Sequence, residues 1–135
     1  MKNKRNNFNF NIPSWISFIY TSFALLLVPW TIYLAYSLPR RQVQHHWDIT
    51  WVGLDIGIIL LLLLTGFYAS IRSRMLIISL SAATSFLVVD TWFDLVSSRP
   101  GSQLIEAIIL AIFIELPLIF LGYYLCYKII SNNFK

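Results

Sequence analysis

The sequence predicts an all-α membrane protein, an antiparallel up-down bundle of four transmembrane helices with both termini in the cytoplasm. Three observations predict it. Apolar residues make up 58% of the chain and charged residues only 12%, where a soluble domain carries about 25% charged. The apolar residues gather into four blocks, each long enough to supply the ~20 helical residues that cross a hydrocarbon core. The ten Lys and Arg residues fall in short groups between those blocks, which is how membrane topology is written.

Residues 1–13 are expected to be a cytoplasmic segment carrying Lys2, Lys4 and Arg5. The four-helix transmembrane domain should occupy residues 14–131. Its first span, about 15–37, is opened by Asn11, Pro13 and Ser14 and closed by Leu38-Pro39. A cleavable signal is the rival reading, with Ala35-Tyr36-Ser37 as a loose cleavage site. Signal apolar regions run to about 7–15 residues, and this block is longer, so it is expected to stay in the membrane. The second span covers about 52–71. Ser73 and Arg74 make a tight connection to the third, about 75–96. A turn from Ser97 to Ser102, with Ser102 a candidate N-cap, leads to the fourth, about 104–130. Such short connectors require neighbouring helices to be antiparallel and adjacent. Pro29 and Pro117 lie inside spans and should kink them. Gly53, Gly57 and Gly66 on the second helix, the first two as a GxxxG pair, should permit close helix packing.

The basic residues set the orientation. Lys2, Lys4, Arg5, Arg72, Arg74, Lys128 and Lys135 fall on the side of the termini, and Arg40, Arg41 and Arg99 on the other. The richer side is cytoplasmic. Trp15, Trp30, Trp47, Trp51 and Trp92 sit mostly near the expected membrane edges. The net charge of +4 comes without a basic stripe, so no nucleic acid partner is expected. A single cysteine, Cys126, excludes an internal disulfide framework and a cysteine-based zinc site. It reads as a buried, inert thiol. The chain has no phosphate-binding glycine loop, no HExxH and no CxxC.

The six acids are the informative residues, because all fall on the side away from the termini. Asp48 lies in the first outer loop, Asp55 in the second helix, Asp90 and Asp94 at the outer end of the third, and Glu106 and Glu115 along the fourth. Helical rise puts Asp55 ~6 Å, Asp90 ~10 Å and Glu115 ~17 Å below the outer boundary. An ionised carboxylate at a helix centre costs ~2.5–3.5 kcal/mol. Such a group persists only if neutralised, paired or hydrated, so Asp55, Asp90 and Glu115 should face the bundle interior. Asp90 and Asp94, four apart, share a helix face. Glu106 and Glu115, nine apart, point to opposite faces of a regular helix. The deeper Glu115 is therefore assigned inward and Glu106 outward. The shallower Asp48, Asp94 and Glu106 could instead pair with Arg40, Arg41 or Arg99.

The expected ligand-binding residues are Asp55, Asp90, Asp94, Glu115, His46, Trp51 and Trp92. His45 and His46 together with Asp90 or Asp94 would suit zinc or iron, but adjacent histidines project in different directions. No metal site and no cofactor is therefore expected. Three functions compete. The first is an outward-facing intramembrane site for a cation, a proton or the basic head of an amphiphile. The second is a structural or chaperone-like subunit in which the acids fix helix pairing. The third, ranked last, is an intramembrane isomerase or cyclase of a hydrophobic lipid. There Glu115 or Asp90 would be the acid, and Trp51, Trp92 and Phe93 would stabilise a carbocation. No catalytic residue is assigned. Partners are membrane lipid and, because four helices are few for a complete transport path, a second copy or another membrane protein.

The run His46-Trp47-Asp48, then Trp51-Val52-Gly53-Leu54-Asp55, Asp90-Thr91-Trp92-Phe93-Asp94 and Glu115-Leu116-Pro117 resembles an uncharacterised family of small bacterial four-span membrane proteins. The resemblance covers about residues 38–130. It implies the four-span fold, the grouping of these motifs and a bacterial plasma (inner) membrane location, and carries no activity. A looser similarity to sterol-isomerase-like helical membrane proteins is one of architecture alone.

Overall fold

The computed structural model describes residues 12–37 and 47–133, and all regular structure among them is helical. The helices are α1 (Ser14–Ser37), α2 (Trp47–Ser70), α3 (Leu76–Ser97), α4 (Ser102–Leu110) and α5 (Leu116–Asn133), with a π-helical turn at Ala111–Glu115 joining the last two. Four stretches are long and apolar enough to cross a membrane: Ser14–Tyr36, Ile49–Ser70, Leu76–Ser97 and Ser102–Asn132. The chain is a multi-pass membrane protein.

Cross-helix pairs show the antiparallel course. Thr31 near the end of α1 meets Asp55 near the start of α2, and Ser17 near the start of α1 meets Gly66 near the end of α2. Trp51 meets Phe93 between α2 and α3. Ser81 meets Cys126 between α3 and α5. The backbones pair only in chain order among the described residues: α1 with α2, α2 with α3, and α3 with the fourth span. The first and fourth helices do not close the ring by backbone contact. Large side chains occupy that space instead. Tyr20 and Ile16 of α1 and Ile129 of α5 are almost wholly buried in one core.

Lipid is as apolar as a leucine side chain, so burying apolar surface does not by itself draw helices together in a membrane. Close contact and hydroxyl bonds do that work here. The Ser17 hydroxyl donates to the Gly66 carbonyl at 2.7 Å. A Cβ on Gly66 would collide with the Thr21 hydroxyl and stand 3.3 Å from the Ser17 carbonyl. A Cβ on Gly122 would likewise collide with the Thr84 hydroxyl. The expected GxxxG contact is not made. A Cβ on Gly53 would meet nothing within 4 Å, and one on Gly57 only the Phe86 ring at 3.8 Å. Of the three α2 glycines, Gly66 alone stands at a close helix contact, and Gly122 is its counterpart between α3 and α5.

Two boundaries differ from expectation. α2 begins at Trp47, so Asp48 belongs to its first turn and not to a loop. Ser102 is the first residue of α4, and the cap position belongs to Gly101 at φ 121°, a backbone conformation that side chains rarely adopt. Between α2 and α3, Arg72 takes the left-handed conformation at φ 50°. There the Ser73 N–H reaches back to the Tyr68 carbonyl at 3.0 Å and closes the helix end.

Candidate functional site: a buried carboxylate cluster

Asp90, Asp94 and Glu115 each offer a carboxylate oxygen, and these oxygens lie within 4.8 Å of one another. Asp90 and Glu115 are buried, at 7% and 8% exposure, and Asp94 is partly buried. Asp55, at 4% exposure, is near enough for its charge to act on all three. Asp55 of α2, Asp90 and Asp94 of α3 and Glu115 of the fourth span thus share one region, in the half of the bundle nearer the α3–α4 connection.

The first cause of this convergence is the register between α3 and the fourth span. Ser81 meets Cys126, Thr84 meets Gly122, and Thr91 meets Glu115. In that register Glu115 is level with Asp90 and Asp94, where counting from residue 104 had set it ~7 Å deeper than Asp90. The connection makes the difference. Ser98 is extended, at φ −65° and ψ 134°, and Gly101 turns the chain at φ 121° and ψ −143°. The chain therefore rises past the end of α3 before α4 starts, and α4 overhangs it. The fourth span is correspondingly long. Its 31 residues reach ~46 Å at the rise of an α-helix, against a hydrocarbon core of ~30 Å.

The second cause is the π turn. The Leu116 N–H bonds to the Ala111 carbonyl, five residues back. Buried positions before it step by four, through Ala107, Ala111 and Glu115, and in a regular α-helix a four-residue step drifts around the axis. The wider i→i+5 turn removes that drift and holds Glu115 on the core face. Pro117 stands just beyond and has no N–H to continue an α-helical ladder, which makes the widened turn less costly there. Glu106 is exposed, in line with the expected split between the two glutamates.

Threonines complete the site. The Thr31 hydroxyl lies 2.9 Å from the Leu27 carbonyl and 3.1 Å from Asp55 Oδ2. Thr91 is placed similarly, donating to the Leu87 carbonyl at 2.8 Å while its hydroxyl faces the Glu115 carboxyl closely enough to act on it. A hydroxyl has one proton, so neither threonine can donate fully to both neighbours. Glu115 Oε2 is buried with no hydrogen-bond partner. The charged groups that act on Asp90, Asp94 and Glu115 are other carboxylates, so Asp94 belongs to the cluster and is not held by Arg99.

Three ionised carboxylates this close repel by about 3 kcal/mol per pair at an effective dielectric near 20. The total is on the order of 10 kcal/mol, comparable to the stability of a small domain. The arrangement therefore calls for positive charge, as protons or as a cation.

The remaining expected site residues divide. Trp51 is buried at 7% exposure, lies one turn outward of Asp55 on α2, and meets the Phe93 ring edge-on at 5.9 Å. Trp92 is 67% exposed. Two residues from both Asp90 and Asp94, it stands on the far face of α3 and is not brought to the cluster. His45 and His46 lie outside the described residues. Thr31 and Thr91 were not anticipated. Buried threonines in helices commonly bond the carbonyl four residues back, so the sequence carried no signal that these two also face acids. A separate cleft of about 460 Å³ opens at the opposite end of the bundle, between α1 and α2, lined by Ser14, Ser17, Thr21, Ser70 and Arg72 among others.

Fold and cluster together define an all-α, multi-pass membrane protein with a buried group of carboxylates. Set against known protein families, curated proteins and solved structures, the chain matches none of them.

Proposed function

We propose that this protein binds positive charge within the membrane, as a cation, a proton or the basic head of an amphiphile, through Asp90, Asp94 and Glu115 with Asp55 beside them. One observation carries the reading. Three carboxylate oxygens stand within 4.8 Å of one another on helices apolar enough to cross a membrane, and one buried oxygen of Glu115 has no donor. A purely structural acid would be expected to have its lone pairs satisfied by neighbouring helices.

In this reading the basic residues orient the chain, with Arg72, Arg74 and Lys128 on the cytoplasmic side along with both termini, and Arg99 outside. The cluster then belongs to the outer leaflet of a bacterial plasma membrane, the location implied by the resemblance to small bacterial four-span proteins. Lipid surrounds the exposed apolar faces, and a second copy or another membrane protein would extend the bundle. A structural role has one observation in its favour. The Thr31–Asp55 contact joins α1 to α2, so Asp55 contributes to helix pairing whatever else it does.

The test is cation binding by the purified protein in nanodiscs, comparing the native chain with Glu115→Gln and Asp90→Asn. Protons would be followed by infrared spectroscopy of the carboxyl groups, metal ions and alkylammonium by calorimetry. Binding lost at unchanged folded yield supports the proposal. Variants that bind as well as the native chain, or fail to fold at all, favour the structural reading.

A further inference from the structure

Resting on that reading, we infer that the Asp90–Asp94–Glu115 cluster is a site for one hard divalent metal ion of the calcium, magnesium or manganese class. Two independent features converge on this. The first is the donor set. All three groups are carboxylates whose offered oxygens lie within 4.8 Å of one another. Oxygens on opposite sides of one ion are separated by at most twice the metal–oxygen distance, about 4.2 Å for magnesium and about 4.6–5.2 Å for calcium. The cluster fits such an ion with little movement. The second is the buried Glu115 Oε2, which no protein donor satisfies. It belongs to a side chain more than nine-tenths buried, where leaving an acceptor without a partner is costly.

The chemistry of the ligands narrows the ion. Oxygen-only sites favour hard cations, and soft or borderline ions prefer imidazole or thiolate. The one cysteine, Cys126, contacts Ser81 in the other half of the bundle. Charge narrows it further. A monovalent ion leaves two of three carboxylates uncompensated in a low-dielectric region, and a divalent ion leaves one. That remaining charge lies beside one hydroxyl, that of Thr91, which it shares with the Leu87 carbonyl. Asp55 is engaged by Thr31 at 3.1 Å and lies outside the three-oxygen group, so it acts on the bound ion by its charge and not as a direct ligand.

The experiment is a manganese titration of the full chain in detergent micelles after chelator treatment, with free Mn²⁺ followed by electron paramagnetic resonance. One Mn²⁺ per chain is expected, displaced by Ca²⁺. Glu115→Gln and Asp90→Asn should weaken binding on the order of 100-fold, since affinity in such sites follows ligand charge, and Glu106→Gln should leave it unchanged. If Glu115→Gln does not fold, the partly buried Asp94→Asn serves in its place. The inference is overturned if Mn²⁺ does not bind, or if Glu106→Gln weakens binding as much as Asp94→Asn. Should Mn²⁺ fail while alkylammonium binding or carboxyl protonation still depends on Asp94, the metal assignment falls and the broader cation reading stands. Should none of these depend on the cluster, both fall.

Discussion

Glu115 and Asp94 bring carboxylate oxygens within 4.8 Å of each other, although Asp94 stands one turn from the end of α3 and Glu115 lies well inside the fourth span. The overhang of α4 and the π turn make that meeting possible. Both devices can be tested apart from the carboxylates themselves.

Pro117 is exposed and sits two residues past the end of the π turn. Pro117→Ala returns a backbone donor and favours a regular α-helix. The expected outcome is a helix at least as stable, with Glu115 rotated away from Asp90 and Asp94. Cation affinity should drop by tenfold or more, about 1.4 kcal/mol, while the unfolding temperature holds or rises. Unchanged affinity would show that the turn does not aim Glu115.

The two close-contact glycines should differ sharply from the two open ones. Gly122→Ala drives a methyl into Thr84, and Gly66→Ala into Thr21. Each should destabilise the bundle by about 1–3 kcal/mol, the range for overpacking. Gly53→Ala meets open space and should be neutral or stabilising by up to about 1 kcal/mol through helix propensity. Thermal unfolding in detergent reads all three, and Thr84→Ala should recover part of the loss in Gly122→Ala.

Thr31→Val and Thr91→Val keep shape and remove the hydroxyls that face Asp55 and Glu115. Each should cost about 0.5–1.5 kcal/mol of stability, the net value of one hydrogen bond. Thr91→Val should also weaken cation binding, because Glu115 loses the hydroxyl that faces it. Thr31→Val should leave binding nearly intact. Equal effects on binding would place Asp55 among the direct ligands.

The two tryptophans named with the acids should behave differently. Trp51→Ala removes a buried ring that meets Phe93, with an expected loss of about 3–5 kcal/mol. Trp92→Ala alters an outward ring and should change stability by less than about 1 kcal/mol. A chemical denaturation series on the two variants decides it.

Orientation is open to direct measurement. With Cys126→Ser as background, a cysteine placed at Ser98 should react with an impermeant thiol reagent added outside cells. One placed at Ser73 should react only after the membrane is opened. The reverse pattern would move the carboxylates to the cytoplasmic leaflet.

From the sequence alone came the number of spans, their approximate limits, and the gathering of Asp55, Asp90 and Asp94 toward one end. These are counting properties. Hydrocarbon thickness sets how many apolar residues a helix needs, and the cost of charge in lipid decides where acids can lie. It also made Glu115 the inward glutamate and Glu106 the outward one. Helix packing was needed to bring Asp94 to Asp90 and Glu115, to turn Trp92 away from them, and to make Gly66 and Gly122 the close contacts in place of Gly53 and Gly57. Those outcomes depend on how helices rotate and slide against each other. Hydropathy is nearly uniform around a lipid-facing helix, so rotation and register are set by local packing: an extended Ser98, a positive-φ Gly101, a π turn before Pro117, and threonines seated against glycine.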